Sequence, residues 1–242
     1  MIVIQDLNLS ESQICHYLPD REWRFKYFFA SELSGEELNV LLSRGWRKFG
    51  FYYFRPFCEG CDECLPIRVP VELYRPSGNQ KNIIKKNRDV FVRFGELQFS
   101  EEIYSIYEAH SRVRFGTESS LDEFTMNFYS RSCPALQSEY YIDGKLAGVG
   151  FLDKTDEALS SVYYIFHPDY SSRSLGTFSA IREIAYAREL GMKYYYLGYY
   201  IKGCGRMKYK NRFRPYELFD WNGEAWHIED RGSNAGTVAG NE

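Results

Sequence analysis

The stretch that most constrains the fold is the succession of strand, turn, helix and strand between Ser160 and Tyr200. Ser160 to His167 reads as a strand that ends at Pro168-Asp169. Arg173-Ser174-Leu175-Gly176 then opens a helix to Leu190, with Phe178, Ile181, Ile184 and Ala185 on its buried face and Gly191 as its stop. The first amides of such a helix have no partner within it, so an Arg-x-x-Gly turn there predicts an anion site. The next strand, Tyr194 to Tyr200, is expected beside the first. It runs into Lys202–Arg214, which carries Lys202, Arg206, Lys208, Lys210, Arg212 and Arg214 with no acid among them.

That basic run sits in an otherwise near-neutral protein. Its 242 residues carry a net charge of −3, which excludes a basic coat over the whole surface but not a local patch. Apolar content of 44% and charged content of 26% suit an ordinary folded chain. No stretch approaches the roughly 20 apolar residues of a membrane helix. The N-terminus lacks the pattern of a secretory signal, so a cytoplasmic protein with no membrane partner is expected.

Upstream, residues 36–44 read as a short helix with Leu38, Leu41 and Leu42 on one face and Gly45 as its stop. Cys58, Cys61 and Cys64 follow at two-residue intervals, a spacing that can aim thiolates at one soft metal. Cys15 is the expected fourth ligand, with His16 second. Zn²⁺ and an iron–sulfur cluster both remain open, and either is expected to be structural. Ser77 and Gln80 have capping-box spacing for a helix to about Arg88, whose Lys81, Lys85, Lys86 and Arg88 suit a solvated face.

From residue 91, strands and helices alternate. His110 falls on the packing stripe of a helix over 101–113, and Ser120 with Glu123 opens another. Asp143-Gly144 predicts a hairpin over 139–153. Alternation places Ala147, Val149, Phe151 and Asp153 on one face of its return strand. From these residues alone Asp153 reads as a turn residue. Glu229–Glu242 is polar and is expected to be disordered.

Several of these stretches, in one order, carry a resemblance. They are Cys15-His-Tyr-Leu-Pro, Gly45-Trp-Arg-Lys-Phe-Gly50, Tyr53-Phe-Arg-Pro56, the three-Cys run, Pro66-Ile-Arg-Val-Pro70 and Tyr74-Arg-Pro-Ser77. Further on come Ser161-Val-Tyr163, Ser174-Leu-Gly-Thr177, Leu197-Gly-Tyr-Tyr-Ile-Lys-Gly-Cys204, Met207-Lys-Tyr-Lys210 and Phe213-Arg-Pro215. Together they resemble the aminoacyl-tRNA–protein transferases of the arginyltransferase type, and most closely their bacterial aspartate/glutamate leucyltransferase branch. One departure from that branch stands out: Val113–Ser119 lacks its His-Gly-Asp-like residues. The strand–turn–helix–strand order also resembles the CoA-binding turn of GNAT-like folds, and against its Gln/Arg-x-x-Gly-x-Gly/Ala pattern Phe178 stands where a small residue is usual.

The resemblance implies an α/β (α+β) chain. A cysteine-bearing region over 1–90 would precede a GNAT-like acyltransferase domain over 91–228, with a mixed, largely antiparallel sheet. It implies leucine transfer from Leu-tRNA to proteins with N-terminal Asp or Glu, with no cofactor needed for the chemistry and no DNA partner. Asp153 would orient the acceptor's α-ammonium or take its proton. Arg173, Ser174 and Gly176 would hold a phosphate near the tRNA 3′ end, and Lys202, Lys208, Lys210 and Arg212 the acceptor stem. Arg75 and Ser77 would meet the acceptor's acidic side chain. The rival readings are arginyl transfer, a CoA-dependent N-acetyltransferase, and a zinc-ribbon RNA-binding module.

Overall fold

The computed structural model describes residues 1–116, 118 and 120–229. The expected tail beyond Glu229 lies outside these residues, as do Thr117 and Ser119 of the departure at 113–119. The first part of the chain forms β1 (Ile2–Leu9), β2 (Gln13–Ile14), β3 (Glu22–Trp23), β4 (Phe25–Glu32), α1 (Gly35–Ser43), β5 (Arg47–Phe49) and β6 (Tyr52–Pro56). β1, β4, β6 and β5 lie in that order in one antiparallel sheet, and β2 pairs with β3. Ser34 and Glu37 close a reciprocal capping box at the start of α1, which buries Leu38 and Leu42.

Next come β7 (Leu65–Pro70), α2 (Gly78–Lys86), β8 (Phe91–Gly95), α3 (Glu101–Phe115), α4 (Leu121–Phe128), β9 (Ala135–Ile142), β10 (Lys145–Lys154) and β11 (Ala158–Phe166). α5 (Leu175–Glu189), β12 (Tyr194–Tyr200), β13 (Tyr216–Asp220) and β14 (Ala225–Glu229) complete the described chain. Eight strands form the large sheet, in the order β14-β13-β7-β12-β11-β10-β9-β8. The expected capping box opens α2: Gln80 Oε1 accepts from the Ser77 N–H at 2.8 Å, and Ser77 Oγ accepts from the Gln80 N–H. Asp143 and Gly144 both take positive φ in the β9–β10 turn, as their pairing predicts.

The sheet does not respect the boundary expected at residue 90. β7 lies inside the large sheet, hydrogen-bonded to β12 on one side and β13 on the other. Ile67 and Val69 are fully buried among α5 residues, while Arg68 points the opposite way. Its guanidinium pairs with Glu217 at 2.6 Å, donates to the Tyr196 hydroxyl at 3.0 Å, and stacks on Tyr194 and Trp226. Alternation within one strand thus joins two layers.

Leu152 and Leu159 pack with Ala180, Ile181 and Ile184 of α5 on one face of the large sheet. Val149 and Phe151 pack with α3, α4 and Phe49 of β5 on the other. Ala147 leaves the face expected of it: the register shifts between Leu146 and Gly148, and Ala147 packs with Leu175 and Phe178. His110 is buried as expected, with Nδ1 against the backbone of Phe166. Burial holds its pKa below the ordinary histidine value.

Candidate active site

β11 and β12 run parallel and pair only at Ala158–Tyr194, Leu159–Tyr195 and Ser160–Tyr196. Both strands continue past that point unpaired with each other, so a gap opens between them. On its other edge β12 carries a register shift between Tyr196 and Gly198. Gly198 has a φ of +87°, a conformation that other residues rarely adopt.

Two cations meet beside this glycine. A Cβ built on Gly198 would lie 3.5 Å from Lys210 Nζ and 3.9 Å from both Nε and Nη2 of Arg47. Arg47 reaches in from β5, on the face that carries α3 and α4. Its Nη1 donates to Ser160 Oγ at 2.6 Å and its Nη2 to the Ser161 carbonyl. Burial lowers its pKa, partly offset by Asp153. Lys210 donates to the Tyr199 carbonyl at 2.7 Å. Burial, with Arg47 beside it, pulls its pKa down to about 7. Among the described residues neither cation forms an ion pair.

Lys210 was expected, with Lys202, Lys208 and Arg212, to contact the acceptor stem; its side chain turns into the gap. A local count of charge could not show this, because its surroundings come from strands distant in sequence. Lys202, Lys208 and Arg212 are exposed. The Arg212 carbonyl accepts from Gln80 Nε2 at 3.3 Å, joining the basic segment to α2. A cleft of about 400 Å³ lies here, lined by Ser77, Gln80, Thr177, Tyr209, Arg212 and Arg214. Ser77 therefore stands with the basic segment, and its hydroxyl is engaged in capping α2. Arg75 is exposed and donates to the carbonyls of Glu72 and Tyr74.

The start of α5 keeps part of its expected character. Ser174 takes a left-handed conformation and makes no side-chain cap, while its carbonyl accepts from Thr177 and Phe178. The Leu175 and Gly176 amides thus lie at the uncapped, positive end of a 15-residue helix. Arg173 does not join them as a free charge. It makes two 2.8 Å hydrogen bonds to Asp89 and a third, at 3.0 Å, to the Lys86 carbonyl.

Asp153 is likewise engaged. Its Oδ1 lies 3.1 Å from Lys48 Nζ and accepts from Cys133 Sγ at 3.6 Å, and the residue is only 3% exposed. Burial opposes the charge on Lys48, but Asp153 outweighs it and holds the lysine above its ordinary pKa. The geometry gives Asp153 a counter-ion's task rather than contact with a substrate amine. Arg47, the residue that faces the gap, was present in a quoted motif but was not singled out. Its long-range contacts to Ser160 and Ser161 were the missing signal.

The cysteines gather without forming a ligand set. Cys58 and Cys61 face each other across a tight bridge. Burial and then the neighbouring Cys58, Cys15 and Cys61 push the Cys64 thiol up to about 12. His16 lies toward Trp23. Among the described residues, no three His, Cys, Asp or Glu side chains are arranged to hold a metal ion. Cys15, Cys58, Cys61 and Cys64 are the thiols that would hold the expected metal or cluster, and the chemistry proposed for the gap does not call on it.

Among the described residues β11–β12 is the one parallel pair in a largely antiparallel sheet, and a helix leads from one strand of it to the other. This mixed sheet, open between two parallel strands, is a GNAT-like fold. The family model of the arginine-tRNA-protein transferase C terminus matches residues 100–220, and that of its N terminus matches 13–82. The chain belongs to this aminoacyltransferase family.

Its curated relatives include aspartate/glutamate leucyltransferases. That of Leptospira interrogans serogroup Icterohaemorrhagiae serovar copenhageni (strain Fiocruz L1-130) is 33% identical, over 89% of this chain and 87% of the relative. That of Helicobacter hepaticus is 34% identical over 86% and 90%. That of Pseudomonas fluorescens is 36% identical over 84% and 89%. Among solved structures, the C-terminal domain of a putative lysylphosphatidylglycerol synthetase from Agrobacterium fabrum aligns at a TM-score of 0.49 and 14% identity. That alignment covers 84% of this chain and 65% of the other. Among the described residues no helix is long and apolar enough to cross a membrane.

Proposed function

We propose that this protein transfers leucine from leucyl-tRNA to the N-terminal Asp or Glu of an acceptor protein, marking it for degradation. The observation that carries the reading is the pair of cations, Arg47 and Lys210, facing one point beside Gly198 without an acidic partner. The uncapped start of α5 and the exposed Lys202, Lys208 and Arg212 suit the phosphates of an arriving tRNA 3′ end.

An aminoacyl ester is already activated, so alignment of amine and carbonyl is the main task and can supply several kcal/mol. The acceptor nitrogen attacks the ester carbonyl, a C–N bond forms, and the C–O bond to the terminal ribose breaks. The ribose oxygen takes one proton, and the nitrogen must lose another before it attacks. We assign that first proton to Lys210. An α-ammonium has an ordinary pKa of about 7.7–8.0. The Lys210 amine, at about 7, is therefore poised to receive its proton near neutral pH.

The test is to incubate the protein with a peptide that begins in Asp or Glu and with Leu-tRNA, Arg-tRNA or acetyl-CoA, then weigh the peptide. A leucyl increment is expected. An arginyl increment would change the donor, and an acetyl increment would replace the transferase reading. No increment in any mixture would favour a binding module.

A further inference from the structure

The two partly free edges at Gly198 belong to different chemistries. Lys210 presents a single ammonium nitrogen, whereas Arg47 presents Nε and Nη2 at equal distance, 3.9 Å, from one point. These are the two donors on the long edge of the guanidinium, the edge that holds a carboxylate through paired hydrogen bonds. Nη1 is spent on Ser160 Oγ, and Nη2 gives one of its hydrogens to the Ser161 carbonyl. The other Nη2 hydrogen and the Nε hydrogen have no hydrogen-bond partner among the described residues. Those same two bonds hold the guanidinium in place, so little side-chain freedom remains to be lost when a ligand binds.

The direction of approach matters as much as the fork. Arg47 comes from β5, on the α3 and α4 face of the large sheet. The uncapped helix start and the basic segment are tied to α2 and α5, on the other face. Donor and acceptor can then enter the gap from opposite faces and meet at Gly198. Any other residue at 198 would place a Cβ in the space between the two cations.

We propose that Arg47 reads the acidic side chain of the acceptor's first residue, seating its carboxylate on Nε and Nη2 beside Gly198. This rests on the proposed transfer to acidic N-termini and names the residue that makes it selective. It replaces Arg75 and Ser77, whose polar atoms serve their own backbone and helix.

The test compares four peptides that differ only in their first residue: Asp, Glu, Asn or Gln. Transfer from Leu-tRNA is measured for the full chain and for R47M and R47K, with thermal melting as a check on folding. In R47M, kcat/KM for the Asp and Glu peptides is expected to fall about 100-fold, because the bound carboxylate loses its partner. The Asn and Gln peptides should change little, so the acid-over-amide preference collapses. R47K keeps the charge without the fork and should recover part of the preference. An equal fall for all four peptides would overturn the proposal, as would wild-type protein that does not prefer acid over amide. The same peptides are also titrated by calorimetry without tRNA, where R47M should abolish the difference between Asp and Asn. If no peptide is modified in any mixture, the leucyl-transfer reading fails. The calorimetric difference still decides the role of Arg47.

Discussion

Arg47 and Lys48 are neighbours on one short strand, yet their charges meet different fates. Lys48 is buried against Asp153 and Cys133, and its charge is answered. Arg47 points the other way, into the gap between β11 and β12, where its hydrogen bonds go to neutral oxygens and the Lys210 ammonium stands beside it. Successive side chains of a strand leave opposite faces, so β5 supplies a paired cation and an open one from adjacent positions. What distinguishes them is the partner. A closed ion pair holds layers together, while an open cation beside a glycine is available to a ligand.

The most severe way to break the closed pair is Asp153→Asn. It leaves the Lys48 ammonium buried without its counter-ion, and a loss of about 3–5 kcal/mol in unfolding free energy is expected from denaturant titration. The double variant K48M/D153L should recover most of that loss, since two apolar side chains replace two buried charges. If the double variant folds but its turnover stays abolished, Asp153 acts on the reaction and the contrast between the two cations fails.

Breaking the open pair should act on rate instead. K210R keeps a charge but cannot accept a proton near neutral pH, and kcat/KM is expected to fall about 100-fold. A variant that retained wild-type turnover would show that charge alone suffices at this position. In wild-type protein, kcat/KM should rise with pH through about 7, where Lys210 becomes neutral. Stability should carry the same signature. The unfolded chain keeps the lysine proton up to the ordinary lysine range, whereas the folded one releases it above about 7. The unfolded state therefore binds more protons across that interval, and native stability rises with pH there. K210M should lose this rise, and its gain over wild type should be largest below pH 7.

Much of the local architecture was legible before any coordinates. The α2 capping box, the Asp143-Gly144 turn, the buried face of α5 and the strand beside it follow from residues a few positions apart. The expected boundary at residue 90 falls among residues 83–99, which neither family model covers. Yet β7 crosses that boundary, because sheet pairing joins residues more than a hundred positions apart. The site was less legible for the same reason. Asp153 looked available until Lys48 appeared beside it, Arg173 until Asp89 did, and Lys210 looked solvated until β12 and Arg47 enclosed it. A basic run announces an anion, but which of its charges are free is decided by partners the run does not contain.

That distinction can be sharpened on the exposed charges. Lys202 and Lys208 are exposed, so replacing each by Ala should weaken tRNA binding across sequences and lower the slope of log affinity against log salt by about one. Filter binding at several salt concentrations measures this. An unchanged slope would remove these lysines from the tRNA surface while leaving Arg47 and Lys210 untouched.

Asp89→Asn should give the smallest effect, and of opposite sign. Arg173 is held by the Asp89 carboxylate and the Lys86 carbonyl at the edge of an open recess lined by Lys85, Lys86 and Arg88. Neutralising Asp89 unmasks the guanidinium next to the uncapped start of α5, so the salt slope of tRNA binding should steepen by about one. An unchanged slope, or weaker binding, would mean that Arg173 matters as the clamp holding the turn before α5 to α2. It would then belong with Lys48 among the closed pairs rather than with the open cations.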